Sequence, residues 1–253
     1  MSVAPTLERP TAPAVEIDTA VSPSLHPQNL LSLPDYGEDT APAISVAVDA
    51  MRALYDGLSD VHRAREAAEK DPTLTPAARL LKVASFAEQH QNAITRKFDK
   101  AHSTMTTAID ALNKSLSEPL KLRSERPGIA NEVRQYVKAL TTAQREAWFT
   151  ERQRAGDMES LEIVLGAPGY LSGLSDDERV VRTKFLHRLR HPVEARRLDI
   201  MTKALDMIHT RGPLLWKEME RAVGASPAKV QRLREAKNSA EAAFILRGDK
   251  TAA

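Results

Sequence analysis

The sequence contains no cysteine and little glycine or aromatic residue, and these absences narrow what the protein can be. Without cysteine, the chain has no disulfide, no thiolate metal site and no cysteine nucleophile. Only 4% of the residues are aromatic and 10 are glycine, so we expect a thin, all-α core. No apolar run approaches the length of about 18 residues that a membrane span needs. The N-terminus also lacks the layout of a signal peptide, so we expect a cytoplasmic protein without a membrane partner.

The common sequence patterns of catalysis are also missing. The chain has no GxxxxGK[ST], GxGxxG, HExxH or GxSxG pattern. His187 and His191 are spaced to share a helix face, but Pro192 biases His191 out of helical geometry and nearby arginines repel a cation. The adjacent acids at 176–178 are explained by helix capping. We therefore predict no catalytic, cofactor or metal site, no small-molecule substrate and no enzyme.

The sequence is dominated by a long amphipathic helix, predicted from Thr75 to about Leu116. Thr75 is a good N-cap, Pro76 suits the first helical position, and no proline or glycine follows until Pro119. Apolar residues repeat every seven positions, so another helix must cover this seam. The first column is Ala77, Ala84, Gln91, Phe98, Met105 and Leu112, and the second, mostly alanine, is Leu80, Ala87, Ile94, Ala101, Ala108 and Ser115. Gln91 either fixes the register of the pair or lies at a solvated edge.

The length of this helix predicts an elongated molecule. At about 1.5 Å per residue it spans roughly 60 Å, which exceeds the diameter of a compact globule of this chain length. A second long helix is predicted from Ala43 to Lys70, and a short link joins the two. Because short links join antiparallel neighbours, residues 41–118 are predicted to form a long helical hairpin.

The remaining segments are predicted to be shorter. Residues 119–169 are interpreted as short helices and a connector, whose glycine- and proline-bearing loop at 166–169 is interpreted as a hinge or domain boundary. Residues 170–253 are predicted to form a basic C-terminal cluster of shorter helices. In it, a helix runs to Arg190, resumes after Pro192, and is followed by helices at 214–223, 227–237 and 240–246.

Residues 1–40 differ from the rest of the chain. Seven of the 15 prolines lie between Pro5 and Pro42, and residues 1–40 carry one base against six acids. This composition predicts an extended, proline-rich arm. Two short apolar patches in it are candidate anchors for a groove, namely Val15, Ile17, Leu30, Leu31 and Leu33. The alternative is a tail with incidental apolar residues.

A basic stretch between residues 179 and 197 is the first candidate binding surface. It holds seven bases and one acid, Glu194. Such a surface contacts either phosphate or an acidic protein surface, unless the bases pair with neighbouring acids of the same chain. The acidic arm, of the same or a neighbouring subunit, supplies one such partner. The seven bases are Arg179, Arg182, Lys184, Arg188, Arg190, Arg196 and Arg197.

The segment WKEMERAVGASPAKVQRLR, Trp216–Arg234, resembles a helix-turn-helix DNA-binding motif. The apolar and glycine positions of that pattern are matched by Met219, Val223, Gly224, Val230 and Leu233. The resemblance implies that Ser226, Gln231 and Arg232 face the major groove. One position departs from the pattern, because Glu220 stands where a small residue packs between the two helices. Plain helical bundles also contain helix–glycine–helix joints with this spacing.

A second resemblance concerns the whole layout. The segment EIVLGAPGYLSGLSDDERVVR, Glu162–Arg182, together with the proline-rich arm and the alanine-rich hairpin, is similar to helical proteins from bacteriophage structural regions. It implies a virion or assembly component. We therefore expect a non-enzymatic structural protein that oligomerises through its long helices and tethers neighbours with its arm. The alternative hypothesis is a DNA-binding protein that uses the segment at 216–234.

Overall fold

The computed structural model describes residues 18–120 and 127–244. These residues form ten α-helices and two short 3-10 helices, and no strand occurs among them, so the all-α prediction is confirmed. No helix in these two ranges is both long and apolar enough to cross a membrane. The α-helices are α1 (Gln28–Leu31), α2 (Ala41–Lys70), α3 (Pro76–Ser115), α4 (Pro127–Ala139), α5 (Thr142–Ala155), α6 (Met158–Leu165), α7 (Asp176–Arg190), α8 (Pro192–Arg211), α9 (Leu214–Val223) and α10 (Pro227–Ala242).

The chain divides into two compact units that do not follow chain order. The first unit contains the described residues of Met1–Asn29, Val48–Phe98 and His209–Ala253. The second contains the described residues of Leu30–Ala47 and Asp99–Ile208. One boundary between the units falls inside α2 and another inside α3. The sequence analysis, in contrast, divided the chain at its loops.

Within the first unit, α2 and α3 form an antiparallel hairpin. Gly57 of α2 lies against His90 and Ile94 of α3. Further along, Ala68 of α2 shares a surface cleft with Val83 of α3. Sequence positions therefore rise along one helix as they fall along the other, as the short link predicts.

The predicted seam of α3 is buried in part. Five of its twelve residues are less than a tenth exposed: Ala84, Ala87, Ile94, Ala101 and Met105. Gln91 is only partly exposed and lines a groove on the first unit, so it does not lie inside a sealed core. A Cβ atom on Gly57 would come within 2.9 Å of the Ile94 Cδ1 atom, so α2 and α3 pack closely at this glycine.

The core of the second unit is built from α4, α5, α6 and α7. Its fully buried members are Val137, Phe149, Leu161, Val164, Leu165, Leu174 and Leu186. The loop at 166–169 was interpreted as a hinge, but it lies within this unit and is tightly packed. A Cβ atom on Gly169 would come within 2.6 Å of the Leu174 carbonyl oxygen.

The helix ends follow the capping chemistry of the sequence. Thr141 with Gln144, and Ser175 with Glu178, form complete capping boxes at α5 and α7. His191 leaves the helical conformation at the break before Pro192. One prediction is wrong: helices at 227–237 and 240–246 were expected, but α10 is continuous to Ala242. No proline or glycine interrupts it, and Asn238 and Ser239 are tolerated because they are exposed.

The described part of the N-terminal arm is folded rather than extended. Residues Pro23–Leu25 form a 3-10 helix and α1 follows after Pro27. Proline is compatible with both positions because the N–H groups of a first helical turn have no intrahelical partner. The Asn29 side chain donates to the carbonyl oxygens of Pro23, Ser24 and His26, at 3.0, 3.2 and 2.8 Å.

Among the predicted arm anchors, Leu30 is fully buried and Leu31 and Leu33 are half-buried. Val15 and Ile17 lie outside the described residues. The sequence analysis missed Val21 and Leu25, which are 2% and 0% exposed and fasten the arm to its own chain.

Substitution of Gly57 by leucine is expected to destabilise the protein by about 1–3 kcal/mol, because the added side chain overpacks the contact with Ile94. The measurement is urea unfolding followed by circular dichroism. Gly128→Leu is the matched control, since no atom lies within 4 Å of a Cβ built at Gly128 on α4. Equal effects of the two substitutions would contradict the close helix approach.

Candidate functional site

The basic stretch lies on α7 and the start of α8, and most of its charge is already paired within the second unit. Six of the seven bases contact an acidic residue of the same chain. The ion pairs are Arg179 with Asp176, Arg182 with Glu146, Arg188 with Asp199, Arg190 with Glu162 and Arg196 with Asp39, whereas Arg197 donates to the Asp39 backbone carbonyl. Lys184 is exposed and makes no ion pair among the described residues. The predicted phosphate-binding surface is therefore largely neutralised.

Arg182 shows why these bases are structural. Its guanidinium lies 4.0 Å from the centre of the Phe149 ring and pairs with Glu146, and the side chain is only 14% exposed. Because Phe149 belongs to the core, the Arg182 guanidinium covers the outer side of that core through a cation–π contact. A guanidinium held in this way is not presented to a nucleic acid.

The acidic end of the arm lies along α8. Arg196 pairs with the Asp39 carboxylate at 3.0 Å, Arg197 donates to the Asp39 carbonyl at 2.9 Å, and Lys203 pairs with Asp35 at 3.0 Å. Thr40 is buried and donates to the Asp35 carbonyl at 2.7 Å, which closes the turn between the two acids. The acidic arm thus meets basic residues of its own chain.

The segment at 216–234 spans most of α9, a turn at Gly224 and the first half of α10. Helix α9 ends at Gly224, which adopts the left-handed conformation with φ of 77°, and Ser226 caps α10 by accepting from the Lys229 N–H. Met219, Val223 and Val230 are buried, whereas Ser226, Gln231 and Arg232 are exposed.

Glu220, the residue that departs from the DNA-binding pattern, is not packed between the two helices. Glu220 is exposed, and it lines a groove of about 660 Å³ between α3, α9 and α10 of the first unit. In the DNA-binding pattern this position is filled by a small residue packed between the two helices. The small residue that is fully buried on α9 is Ala222, two positions after Glu220.

One wall of this groove is a two-pronged ion pair. Arg234 of α10 donates to both carboxylate oxygens of Glu88 on α3, each at 2.7 Å. This hydrogen bonding lowers the pKa of the Glu88 carboxyl and raises the pKa of Arg234. Trp216, 60% exposed, lines the groove as well. Arg234 therefore holds α10 in place, and its guanidinium is engaged within the chain.

A polar cluster at Asp18 was not predicted from the sequence. The Asp18 N–H donates to the Tyr55 hydroxyl at 2.6 Å, and its carboxylate accepts from Ser59 and from the Ala20 N–H. The hydrogen bond from Ser59 is the main cause of the lowered pKa of Asp18. Ser59 thus donates to the carboxylate and not to His62, so the cluster lacks the serine–histidine bond of a hydrolytic triad.

The exposed face of α7 is a second feature that the sequence analysis missed. Val181, Phe185 and Leu189 are 66%, 45% and 41% exposed and are spaced four residues apart, so they form one stripe along the helix. The opposite face carries Thr183 and Leu186, which are buried. We call Val181, Phe185 and Leu189 the α7 stripe.

Neither chemistry nor similarity assigns an activity to the chain. Within residues 18–120 and 127–244, no group of three or more His, Asp or Glu side chains could hold a metal ion. His187 and His191 stack with ring centres 6.3 Å apart, and His187 bonds the Glu118 carbonyl. Comparisons with family models, curated proteins and solved structures found no match.

Burial lowers the pKa of His62 below its ordinary value of 6.5. The folded state therefore favours neutral His62, and stability is expected to fall as the pH decreases from above 6.5 through the folded-state pKa. His62→Gln, which cannot be protonated in this range, should show a smaller loss of thermal stability between pH 8 and pH 5.5. Identical pH slopes for both proteins would contradict the assignment.

Proposed function

We propose that this protein is a non-enzymatic structural protein that assembles by self-association. The observation that supports the proposal best is the α7 stripe, three large apolar side chains exposed on one helix face. Soluble monomers rarely expose contiguous large apolar patches, and such patches mark interaction surfaces. The similarity of the layout to bacteriophage structural proteins suggests the virion as one setting.

Exposed apolar residues are frequent elsewhere in the second unit. Ile129 and Tyr136, one heptad apart on α4, are 48% and 58% exposed, and Tyr170 is 71% exposed. The seam of the long helices, in contrast, is mostly buried within the chain. Self-association therefore has more apolar surface available on the shorter helices than on α2 and α3, where the sequence analysis expected it.

In this proposal, a shorter part of the arm tethers neighbours than the sequence analysis predicted. Residues 18–40 contact their own chain through Val21, Leu25, Asp35 and Asp39. Tethering of neighbours consequently falls to residues 1–17, which include the candidate anchors Val15 and Ile17. A chain that begins at residue 18 would separate this role from folding.

The intact chain is expected to show an average mass above 27.9 kDa in light scattering, and this mass should rise with concentration up to about 100 μM. Phe185→Asp, which places a charge on the α7 stripe, should shift the protein towards monomer. Phe244→Asp is the matched control, because Phe244 is 86% exposed but lies at the end of α10. A monomeric mass at every concentration would overturn the proposal.

DNA binding through α9 and α10 is the second candidate function. It is favoured by the left-handed Gly224 turn, the Ser226 cap and the exposure of Gln231 and Arg232 on α10. Against it stands the exposed Glu220, whose carboxylate would repel phosphate.

The DNA hypothesis predicts affinity for duplex DNA that falls steeply with salt, because phosphate contacts release counterions. Arg232→Ala should weaken sequence-specific binding by about 1–3 kcal/mol. Arg179→Ala is the control, since Arg179 pairs within the chain. Fluorescence anisotropy between 50 and 200 mM salt measures both effects, and unchanged binding in Arg232→Ala would reject the α10 surface.

A further inference from the structure

We propose that two copies of the chain pair through α7, with the two helices antiparallel about a two-fold axis. This inference rests on the proposed self-association and names its partner as a second copy. It starts from the α7 stripe, which is exposed, whereas Thr183 and Leu186 of the same helix are buried.

The charges of α7 identify the partner. Its first turn carries Asp176, Asp177 and Glu178, and its last turn carries Arg188 and Arg190. A parallel pair would bring acids against acids and bases against bases. An antiparallel pair brings the acidic end of each copy to the basic end of the other, so the helix is complementary to itself.

One acid of this face carries charge that the chain does not use. Asp177 is exposed and makes no ion pair among the described residues. At helical spacing it projects on the side of the stripe occupied by Val181 and Arg188. In an antiparallel pair centred on Thr183, Asp177 of one copy lies beside Arg188 of the other.

Full overlap of the two α7 helices sets which apolar residues lie opposite each other. The helix has 15 residues with its midpoint at Thr183, so an antiparallel partner opposes Val181 with Phe185 and Phe185 with Val181. The contact is about 22 Å long, which is short for a stable interface, so a weak, concentration-dependent dimer is expected.

The absence of cysteine gives a clean test of orientation in the full-length chain. Val181→Cys and Phe185→Cys variants, one with a longer purification tag, are mixed and oxidised. Antiparallel pairing predicts that the mixed disulfide exceeds the half share that random pairing would produce. Parallel pairing predicts same-variant dimers instead, because each cysteine would then meet its own copy.

Charge reversal tests the same pairing independently. Asp177→Lys should weaken dimerisation roughly five- to tenfold, because it places a base beside Arg188 of the other copy twice in a symmetric dimer. Glu132→Lys is the matched control, since Glu132 is exposed on α4 and outside the stripe.

The outcomes separate this inference from the proposed function. A chain that self-associates, but whose affinity ignores Asp177→Lys and whose mixed disulfide does not exceed half, uses another surface, and only the α7 pairing is overturned. A chain that stays monomeric overturns both. Weaker dimerisation of Asp177→Lys but not of Glu132→Lys, together with an excess of mixed disulfide, supports the antiparallel pair, and circular dichroism checks that each variant is folded.

Discussion

The first unit depends on how closely α2 and α3 approach each other. Gly57 meets Ile94 where a Cβ atom would come within 2.9 Å, and the alanines at 84 and 87 face inward along the same seam. Small residues bring the helix backbones together, which permits a stable helical hairpin with few large aromatic side chains. The same small residues leave space beside them, since Ala84 and Ala87 also line the groove between α3, α9 and α10.

In the second unit, arginine side chains provide part of the packing that apolar side chains provide elsewhere. Arg182 covers Phe149, and Arg196 and Arg197 hold the acidic turn of the arm on α8. Exposed pairs of this kind are individually weak, so their value lies mainly in orienting the segments that they join. The α7 stripe, in contrast, is an apolar surface that stays exposed beside these engaged charges.

The candidate sites could be predicted only in part. The turn at Gly224 and the cap at Ser226 follow from local conformational preference, so the geometry of α9 and α10 was accessible from sequence. Whether a charge is exposed or engaged depends on residues far away in the chain. Asp39 is 157 residues from Arg196 and Glu88 is 146 from Arg234, and no local pattern reports such pairs. The Asp18 cluster was missed for the same reason.

The sequence by itself determined the helical class, the caps at Thr75, Thr141 and Ser175, and the break at Pro192, because capping and proline chemistry act within a few residues. It also indicated the face of α3 that is partly buried, since helical periodicity is local. Only the tertiary structure decided that residues 18–40 fold onto their own chain and that α7 leaves an apolar face exposed. Both outcomes depend on which helix faces meet, and the amphipathic pattern of one helix does not specify its partner.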